Sequence, residues 1–404
     1  MILRYSTDIV IFGGGIAGLW VLNSLRNAGY QTVLFEKDSL GGGQTMASQG
    51  IIHGGLKYAL QGALSSATEA IADMPSRWRA CLDGSGELDL RGTQILSDHY
   101  YMWSNASLRS RLKTFLGSKS LRGRVEAVAT DRYPPFFQNA TVSGSLYQLP
   151  DFVVDSESLV KTLASKQRGA AFSLPESGVS FEHSSNQEDR VAVFTHRGRK
   201  IYIRAKRFIF TAGEGNESLI RAANLSNAKT QTRPLNMVYL KQRDLPKIYV
   251  HCIGDSFSLT PRLTVTSHQD AIGETVWYLG GEIAECGVGN TEAEQVAAAK
   301  AAIKKEFPWL DCSSAEWRCF TINRAEANIN NNHRPDEAFF LKDRNILVAW
   351  PTKLTLTPAL AEQILQNLIA DKICPSTKDM DRISEADFEA ARLGDSYWNL
   401  EKSA

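Results

Sequence analysis

Apolar residues in the first forty positions follow a strand-like pattern, then a helix-like one, then a strand-like one again. Asp8 to Phe12 is a short β-branched run that predicts a buried strand. Ile16 to Asn27 has helical periodicity and ends at Gly29, a common helix stop. Gln31 to Phe35 predicts a second strand. The chain therefore opens with a strand–turn–helix–strand unit.

Further strands and helices are predicted in the rest of the chain. Residues 200–215 predict two strands. Ile346 to Trp350 predicts a buried strand, and the helix after it takes Thr357 as its N-cap and Pro358 as its first residue. The other predicted elements are a helix at 155–168, strands at 247–254 and 275–284 of an antiparallel sheet, and a helix from Asp381 to Arg392 that packs back on the body.

Composition narrows the class of protein. The 404 residues, 43% of them apolar, are enough for two interleaved domains of roughly 150 residues each. A net charge of +1 argues against wholesale binding of nucleic acid. The six cysteines are scattered, so we expect reduced thiols, a cytoplasmic protein and no metal site. No apolar run reaches the ~20 residues of a membrane span. Because the first strand begins within about seven residues, we expect no signal peptide.

A G-x-G-x-x-G turn joins the first strand to the helix. Gly13, Gly15 and Gly18 allow a tight turn, a close approach of the backbone to a pyrophosphate, and packing of the helix on the strand. The N–H groups at the start of the helix, those of Ile16 and Ala17 among them, then face the phosphates. The turn predicts a nucleotide site, and an ordinary tight turn is the alternative interpretation.

An acidic residue at the end of the second strand extends this motif. Glu36, followed by Lys37, lies 18 residues past Gly18, where an acid accepts hydrogen bonds from a ribose 2′-OH. No second G-x-G-x-x-G follows a strand elsewhere in the chain, whereas a flavoenzyme oxidised by NAD(P) usually needs one. The motif therefore predicts a dinucleotide site and favours FAD over NAD.

Three further stretches carry a resemblance to a known family: "QTMASQGIIHGGLKY" (44–58), the turn at 212–213 and "KLTLTPALAEQIL" (353–365). They resemble the D-amino-acid oxidase/glycerol-3-phosphate dehydrogenase superfamily of FAD-dependent oxidoreductases, in the expected order up to about residue 372. The first stretch is similar to loops of glycerol-3-phosphate dehydrogenases and L-2-hydroxyglutarate oxidases, and the layout is similar to glycine oxidase. The resemblance implies an α/β fold, in which a Rossmann-type FAD-binding domain is interleaved with an α+β substrate domain built on an antiparallel sheet.

The order of the motifs also implies how the domains divide the chain. The expected ranges are 1–80, 152–225 and 317–375 for the FAD-binding domain, 81–151 and 226–316 for the substrate domain, and 376–404 for a C-terminal helical tail.

The resemblance further implies which residues contact FAD. These are Gln44, Thr45, Ser48, Gln49, Gly50, Val179, Ala212, Gly213, Lys353, Leu354 and Thr355. The last three match the loop beside flavin N1 and O2, where N–H groups, a helix dipole and a lysine stabilise negative charge on the reduced flavin. Relatives have Gly-Gly before that lysine, but this chain has Pro351 and Thr352. No cysteine or histidine matches a covalent flavin attachment, so the FAD is expected to be non-covalent.

Candidate catalytic residues are fewer, and each has an alternative. His53 is either a general base that takes a hydroxyl proton or a structural histidine. Lys57 and Tyr58 point toward an anionic substrate group, or are a solvated lysine and a core tyrosine. Arg324 matches the substrate arginine of relatives, although its flanking glycine is missing and Arg334 competes for the role.

Together these residues predict an FAD-dependent oxidoreductase that takes hydride from a C–H next to a hydroxyl or amine. The expected substrate is a small anion (a 2-hydroxy acid, glycerol 3-phosphate or an amino acid), and the electron acceptor is oxygen or quinone. The alternative is a flavin-binding sensor or regulatory protein without turnover. Residues 107–124 form a basic amphipathic segment, either a surface helix or a peripheral membrane contact.

Overall fold

The computed structural model describes residues 1–54, 71–105, 125–184, 189–253, 261–329, 335–377 and 383–400. Its strands are β1 (Ile2–Phe12), β2 (Thr32–Glu36), β3 (Ile51–Ile52), β4 (Ile95–Ser97), β5 (Tyr100–Asn105), β6 (Glu126–Ala127), β7 (Gly144–Leu149), β8 (Phe152–Val154), β9 (Ala171–Ser173), β10 (Ser180–His183), β11 (Arg190–His196), β12 (Arg199–Phe210), β13 (Thr230–Lys241), β14 (Tyr249–Ile253), β15 (Leu263–Gln269), β16 (Thr275–Gly280), β17 (Glu316–Ala327), β18 (Phe339–Asp343) and β19 (Ile346–Trp350).

The helices of the same residues are α1 (Ile16–Asn27), α2 (Met74–Asp83), α3 (Pro135–Gln138), α4 (Ser156–Ser165), α5 (Asn216–Ala222), α6 (Glu282–Cys286), α7 (Glu292–Glu306), α8 (Thr357–Ala370) and α9 (Tyr397–Leu400). Short 3₁₀ turns lie at Thr130–Arg132, Gly213–Gly215 and Leu354–Leu356. Every helix in this part of the chain is too short or too polar to cross a membrane. The basic segment 107–124 lies outside the described residues.

The first sheet is mostly parallel and has the strand order β10-β11-β12-β1-β2-β9. The carboxyl half of β12 also pairs with β19, which in turn pairs with β18. β1 lies in the middle, parallel to both β2 and β12. Because the carboxyl ends of β1, β2, β12 and β19 meet at one edge, the loops that follow these strands lie side by side there.

Helices and side chains cover both faces of this sheet. On one face, α1, α4 and α8 pack around fully buried residues such as Trp20, Leu22 and Ile364. On the other face the core is aromatic and includes Phe12 and Phe35, whose ring centroids are 5.8 Å apart. Burial on both faces explains why the carboxyl half of β1 and the whole of β19 are continuous apolar runs without alternation.

The second sheet is mostly antiparallel, in the order β17-β13-β16-β15-β14-β5-β7-β6. Only the β14–β5 pair is parallel among its described pairs. A core that includes Trp103, Trp277 and Phe307 packs against the sheet together with α7. A third, three-stranded sheet has the order β3-β8-β4. The fold is thus the expected α/β combination of a parallel sheet and a mostly antiparallel one.

Several predicted elements have the expected type and place. α1 and β19 have the predicted bounds, and β1 ends at Phe12 as predicted, although it begins at Ile2. Three predictions were wrong in detail. The strand expected at 275–284 ends at Gly280, and residues Glu282–Cys286 form the helix α6. Residues 199–210 form one long strand instead of two, because β12 pairs with β1 along its whole length. The N-cap of α8 is Leu356 rather than Thr357, whose hydroxyl donates to the carbonyl of Leu354 instead.

The predicted helix from Asp381 to Arg392 is also wrong where the structure describes it. Residues 383–396 contain a turn and two isolated bridges, Phe172 with Ala390 and Leu40 with Leu393. The tail uses its backbone groups to pair with the open edge of β9, which a helix would leave exposed. The tail does pack back on the body, since Phe388 is fully buried in the aromatic core.

The expected domain bounds remain a prediction. The strands of the parallel sheet come from the ranges assigned to the FAD-binding domain, but β17 pairs with β13 in the antiparallel sheet, although most of it falls in the range 317–375.

Candidate active site

Two glycines of the G-x-G-x-x-G turn are packed too tightly for a side chain. Gly13 has φ +104°, and a Cβ there would lie 2.4 Å from the Cα of Ala212. A Cβ on Gly18 would lie 1.9 Å from the carbonyl oxygen of Gly13. The N–H of Gly13 donates to the carbonyl of Phe35 at 2.8 Å, and that of Thr211 donates to Phe12 at 2.8 Å. The turn is therefore fixed between β2 and β12, as a pyrophosphate-binding turn requires.

Glu36 lies at the end of β2 and faces this turn. Its carboxylate accepts hydrogen bonds from the backbone N–H groups of Gly14 and Asp38. Burial raises the pKa of Glu36 above its ordinary value, and the two backbone hydrogen bonds oppose that rise. Lys37, the next residue, is exposed. Glu36 is thus an acceptor held at the edge of the turn.

The loop that follows β2 ties the turn to the antiparallel sheet. Thr45 accepts a hydrogen bond from the N–H of Ile16 at 3.0 Å, at the N-terminus of α1. Gln44 accepts one from the N–H of Ala325 on β17 at 3.2 Å. Gln49 donates to the carbonyl of Tyr278 on β16 at 3.0 Å. The structure therefore places these residues between the two sheets.

Two further positions of the same loop are explained by their surroundings. Ser48 lies 2.9 Å from Ser156, hydroxyl to hydroxyl, at the start of α4. Gly50 has φ +69°, and a Cβ there would lie 2.0 Å from the carbonyl oxygen of Val154. The loop is thus pressed against β8, which leaves room only for glycine at this point.

The A-G turn after β12 lies beside the glycine turn. Ala212 donates its N–H to the side chain of Asn216, and a Cβ on Gly213 would approach Gln44 to 3.1 Å. Val179, expected to meet an adenine, is half-buried between β9 and β10 and packs against the aromatic core.

The loop after β19 carries the clearest backbone outlier of the site. Thr352 has φ +64°, a left-handed conformation that is costly for a β-branched residue. Its hydroxyl donates to the carbonyl of Glu337 at 2.8 Å. Relatives have glycine at this position, so the loop keeps a glycine-like backbone without glycine. Lys353 and Leu354 follow, both half-buried, and lead into the 3₁₀ turn before α8.

Thr355 joins that loop to the histidine of the "IIHGG" stretch. Its hydroxyl accepts a hydrogen bond from the N–H of His53 at 2.9 Å, and its carbonyl accepts one from the indole of Trp78 at 3.0 Å. The two stretches are 302 residues apart in the chain. The structure thus brings together His53 and the loop that the resemblance assigns to the flavin.

His53 is paired with a buried carboxylate that the sequence did not point out. Its Nδ1 lies 2.9 Å from Oδ2 of Asp151, a residue that is 3% exposed. His251 on β14 is close by, with a ring centroid 6.1 Å from that of His53. Among the described residues these three form the group that could hold a metal ion, with one ligand atom from each within 4.8 Å of the others.

Strand register explains the position of Asp151. It immediately precedes the buried run Phe152–Val154, and β8 pairs with β3 so that Phe152 opposes Ile52. The next pair along this ladder is Asp151 and His53. No sequence signal predicts the pairing itself, because the strands are short and 98 residues separate the two side chains.

The candidate substrate arginine is not free. Arg324 lies on β17 and both of its Nη atoms are 3.3 Å from Oε1 of Glu285. Its register partner on β13, Arg233, forms a bidentate pair with the buried Glu326, at 2.6 and 2.8 Å. Burial and the neighbouring Arg233 lower the pKa of Arg324. The structure therefore shows two arginines and two glutamates where the sequence predicted a single cation.

Lys57, Tyr58 and Arg334 lie outside the described residues, so their expected roles remain predictions.

Comparison with known proteins agrees with this geometry. Residues 8–364 match the family described as FAD dependent oxidoreductase. The chain belongs to that family. It is 45% identical over 372 residues to "Probable FAD-dependent oxidoreductase PA4991" of Pseudomonas aeruginosa, which covers 92% of this chain and 93% of the relative. The crystal structure of PA4991 covers both chains fully, with a TM-score of 0.84 and 38% identity.

More distant structures show the same fold. Glycine oxidase from Geobacillus kaustophilus superposes with a TM-score of 0.65 at 16% identity, covering 93% of this chain and 97% of its own. Glycerol-3-phosphate dehydrogenase from Bacillus halodurans, solved with FAD, gives a TM-score of 0.55 at 18% identity, covering 91% of this chain and 65% of its own. The superfamily resemblance and the assignment as an FAD-dependent oxidoreductase are therefore confirmed.

The residues present fit the FAD that the family implies. Gly13 and Gly18 let the turn pack directly on the backbone of Ala212 and on its own first residue, and Glu36 offers an acceptor at the edge of the turn. The start of α1 adds the positive end of a helix dipole, although the N–H of Ile16 that was expected to face the phosphates is bonded to Thr45. A pyrophosphate with an attached ribose matches this donor and acceptor set.

Proposed function

We propose that this protein oxidises a small anionic substrate at a C–H bond next to a hydroxyl or amine, with non-covalently bound FAD. The candidate substrates are a 2-hydroxy acid, glycerol 3-phosphate or an amino acid. FAD, when bound, accepts the hydride, and oxygen or quinone reoxidises it. The scattered cysteines favour a cytoplasmic location.

The observation that carries this proposal is the position of His53. Its backbone N–H is bonded to Thr355, in the loop that family resemblance puts beside flavin N1 and O2. Its side chain is 39% exposed, so the ring is open to a bound molecule while Nδ1 is engaged by Asp151. A titratable ring is thus available where a substrate would meet the flavin, and a general base must be within hydrogen-bond reach of the proton it removes.

This arrangement favours a hydroxyl over an amine. A neutral amine can lose hydride while its nitrogen lone pair supports the developing double bond, and it needs no base for that step. A hydroxyl must lose its proton before or during hydride transfer, because the product is a carbonyl. His53 can take that proton. Among the candidate substrates we therefore favour the 2-hydroxy acid and glycerol 3-phosphate.

The arginine pair supplies the site for the anionic group. Arg324 is bonded to Glu285, whose side chain is 40% exposed, whereas the carboxylate of Glu326 is buried on Arg233. A substrate carboxylate or phosphate can replace the exposed Glu285 without leaving Arg324 unpaired. A guanidinium binds such groups bidentately, so Arg324→Lys is not a conservative change at this position.

The decisive experiment is anaerobic mixing of the holoprotein with a panel of 2-hydroxy acids, glycerol 3-phosphate and amino acids of both configurations. We expect one hydroxyl compound to bleach the oxidised flavin absorbance. We expect Arg324→Lys to raise the KM for that compound while FAD content is retained, with Arg318→Lys, farther along the same strand, as the matched control. Bleaching by amino acids alone would contradict the hydroxyl preference. Bleaching by dithionite but by no metabolite would favour a flavin-binding sensor.

A further inference from the structure

Asp151 is fixed in front of His53 by the pairing of β3 with β8. Ile51 opposes Val153 and Ile52 opposes Phe152, so the next pair brings Asp151 opposite His53. Oδ2 of the carboxylate then lies 2.9 Å from Nδ1 of His53. Oδ1 accepts the N–H of Gly54 at 2.9 Å. Because both oxygens are bonded to the same turn, the carboxylate cannot rotate away from the ring.

The surroundings of Asp151 favour its ionised form despite its burial. Burial alone would raise its pKa, but the hydrogen bonds from His53 and Gly54 and the nearby His251 outweigh that effect and lower it. An ionised carboxylate only accepts hydrogen bonds. Nδ1 of His53 must therefore carry the hydrogen between the two side chains, which leaves the lone pair of a neutral ring on Nε2.

His251 borders this pair from the antiparallel sheet. Its Nδ1 is 3.0 Å from the hydroxyl of Thr264, and its ring centroid is 4.4 Å from that of Tyr100. The planes of the two imidazoles are within 13° of parallel. Imidazole lone pairs lie in the ring plane, so near-parallel rings converge on a common metal ion only if they are almost coplanar. A metal bound at Nδ1 of His53 would also have to displace the hydrogen between that ring and Asp151.

We propose that Asp151 is a positioning residue, which holds His53 in the tautomer with hydrogen on Nδ1 so that Nε2 accepts the substrate proton. This inference rests on the proposed function. The hydroxyl proton of the substrate goes to Nε2, and the hydride of the adjacent C–H bond goes to the FAD of the holoprotein. The imidazolium that forms keeps its Nδ1–H on the Asp151 carboxylate, which stabilises the new positive charge.

The test uses the holoprotein labelled with ¹⁵N-histidine, without substrate, and reads the protonation of each ring nitrogen by NMR. The His53 signals are assigned by their loss in His53→Gln. We expect neutral His53 in the unmodified protein to be protonated at Nδ1 and unprotonated at Nε2. In Asp151→Asn we expect this preference to be lost, while Asp98→Asn, which removes an exposed carboxylate, leaves it unchanged.

Three results would overturn the inference. The first is a neutral His53 protonated at Nε2 in the unmodified holoprotein, a measurement that needs no variant to fold. The second is an unaltered His53 tautomer in Asp151→Asn. The third is one equivalent of a divalent transition metal in the purified holoprotein that is lost in Asp151→Asn, since the cluster would then be a metal site.

A kinetic experiment distinguishes a failure of this inference from a failure of the proposed function. With the compound that bleaches the flavin, Asp151→Asn should lower the limiting rate of flavin reduction by at least about tenfold, because general-base catalysis is worth about 10²–10⁴-fold. The KM should change little, since Asp151 touches His53 and not the substrate. If no metabolite reduces the FAD, the proposed function fails, but the tautomer measurement still decides the role of Asp151. A limiting rate equal to that of the parent would overturn that role.

Discussion

Glu36 and Asp151 are two carboxylates whose surroundings give them different properties. Asp151 is buried but faces a histidine and an N–H group, so its pKa is lowered. Glu36 is bonded by backbone N–H groups alone, and burial raises its pKa. Two ribose hydroxyls would add the donors that the ionised form of Glu36 lacks. Asp151 therefore has its stabilising partners within the protein, whereas Glu36 is suited to a bound nucleotide.

Replacement of Glu36 by alanine should weaken FAD binding without unfolding the chain. One charge-assisted hydrogen bond is worth about 1.5–3 kcal/mol, so its loss corresponds to roughly a ten- to hundredfold loss of affinity. Titration of the apoprotein with FAD, followed by flavin fluorescence, measures this. Asp38→Ala is the matched control, because only the backbone N–H of Asp38 bonds to Glu36. Equal affinities for the two variants would remove Glu36 from the ribose role.

At the scale of elements, the sequence predicted most reliably what local pattern decides. The bounds of α1 follow from helical periodicity and the glycines near its ends, and those of β19 follow from a continuous apolar run. The tail around Phe388 was predicted as a helix from the same kind of pattern, but the open edge of β9 offered its backbone better partners. Local periodicity thus predicts the elements but not which distant segments pair with each other.

The residues of the candidate site also differ in how well the sequence predicted them. The glycine turn and Glu36 are close in sequence and were predicted from it. The pairing of His53 with Asp151 depends on the register of two short strands 98 residues apart. That of Arg324 with Glu285 depends on where the helix α6 packs on the antiparallel sheet. Residue type alone gives no indication of either partner, since aspartate and glutamate are common on surfaces.

The short helix α9 docks on the antiparallel sheet through a buried histidine. Trp398 stacks on His268 with ring centroids 4.7 Å apart, and its indole donates to the carbonyl of Gln269 at 3.2 Å. Burial lowers the pKa of His268 from 6.5 to about 3. In the unfolded chain this histidine is protonated below about pH 6.5, whereas in the folded protein it stays neutral down to about pH 3. The free energy of unfolding therefore falls as the pH drops from about 6.5 to about 3.

His268→Gln should flatten the acid dependence of stability. Between about pH 6.5 and 3, each pH unit of acidification lowers the free energy of unfolding of the parent by about 1.4 kcal/mol through this residue. Glutamine does not titrate, so the variant should not lose this amount. Urea unfolding at several pH values between about 4 and 7 compares the slopes. The exposed His99→Gln is the matched control and should keep the parent slope. Parallel curves for His268→Gln and the parent would show that His268 is not buried as a neutral ring.

At the scale of the whole molecule, hydrogen bonds from one loop link the nucleotide turn to the antiparallel sheet. The hydroxyl of Tyr278 donates to the carbonyl of Ala47 at 2.8 Å, and the backbone carbonyl of Tyr278 accepts a hydrogen bond from the side-chain amide of Gln49 at 3.0 Å. Gln44 adds a bond to the N–H of Ala325 at 3.2 Å. One loop therefore contacts both sheets, so a ligand that orders the loop stabilises the contact between the two sheets as well as its own site.

FAD should accordingly raise the stability of the apoprotein, and FMN should not. A ligand that binds only the folded state adds about 2.7 kcal/mol at one hundred times its Kd. The glycine turn and Glu36 are built for a pyrophosphate and a ribose, and FMN lacks both the second phosphate and the adenosine ribose. Thermal unfolding of the apoprotein with increasing FAD, FMN or ADP measures the effect, and ADP should give a smaller shift than FAD because it lacks the flavin. A midpoint that rises equally with FMN would contradict the dinucleotide site, and flavin that stays on the acid-denatured chain would contradict non-covalent binding.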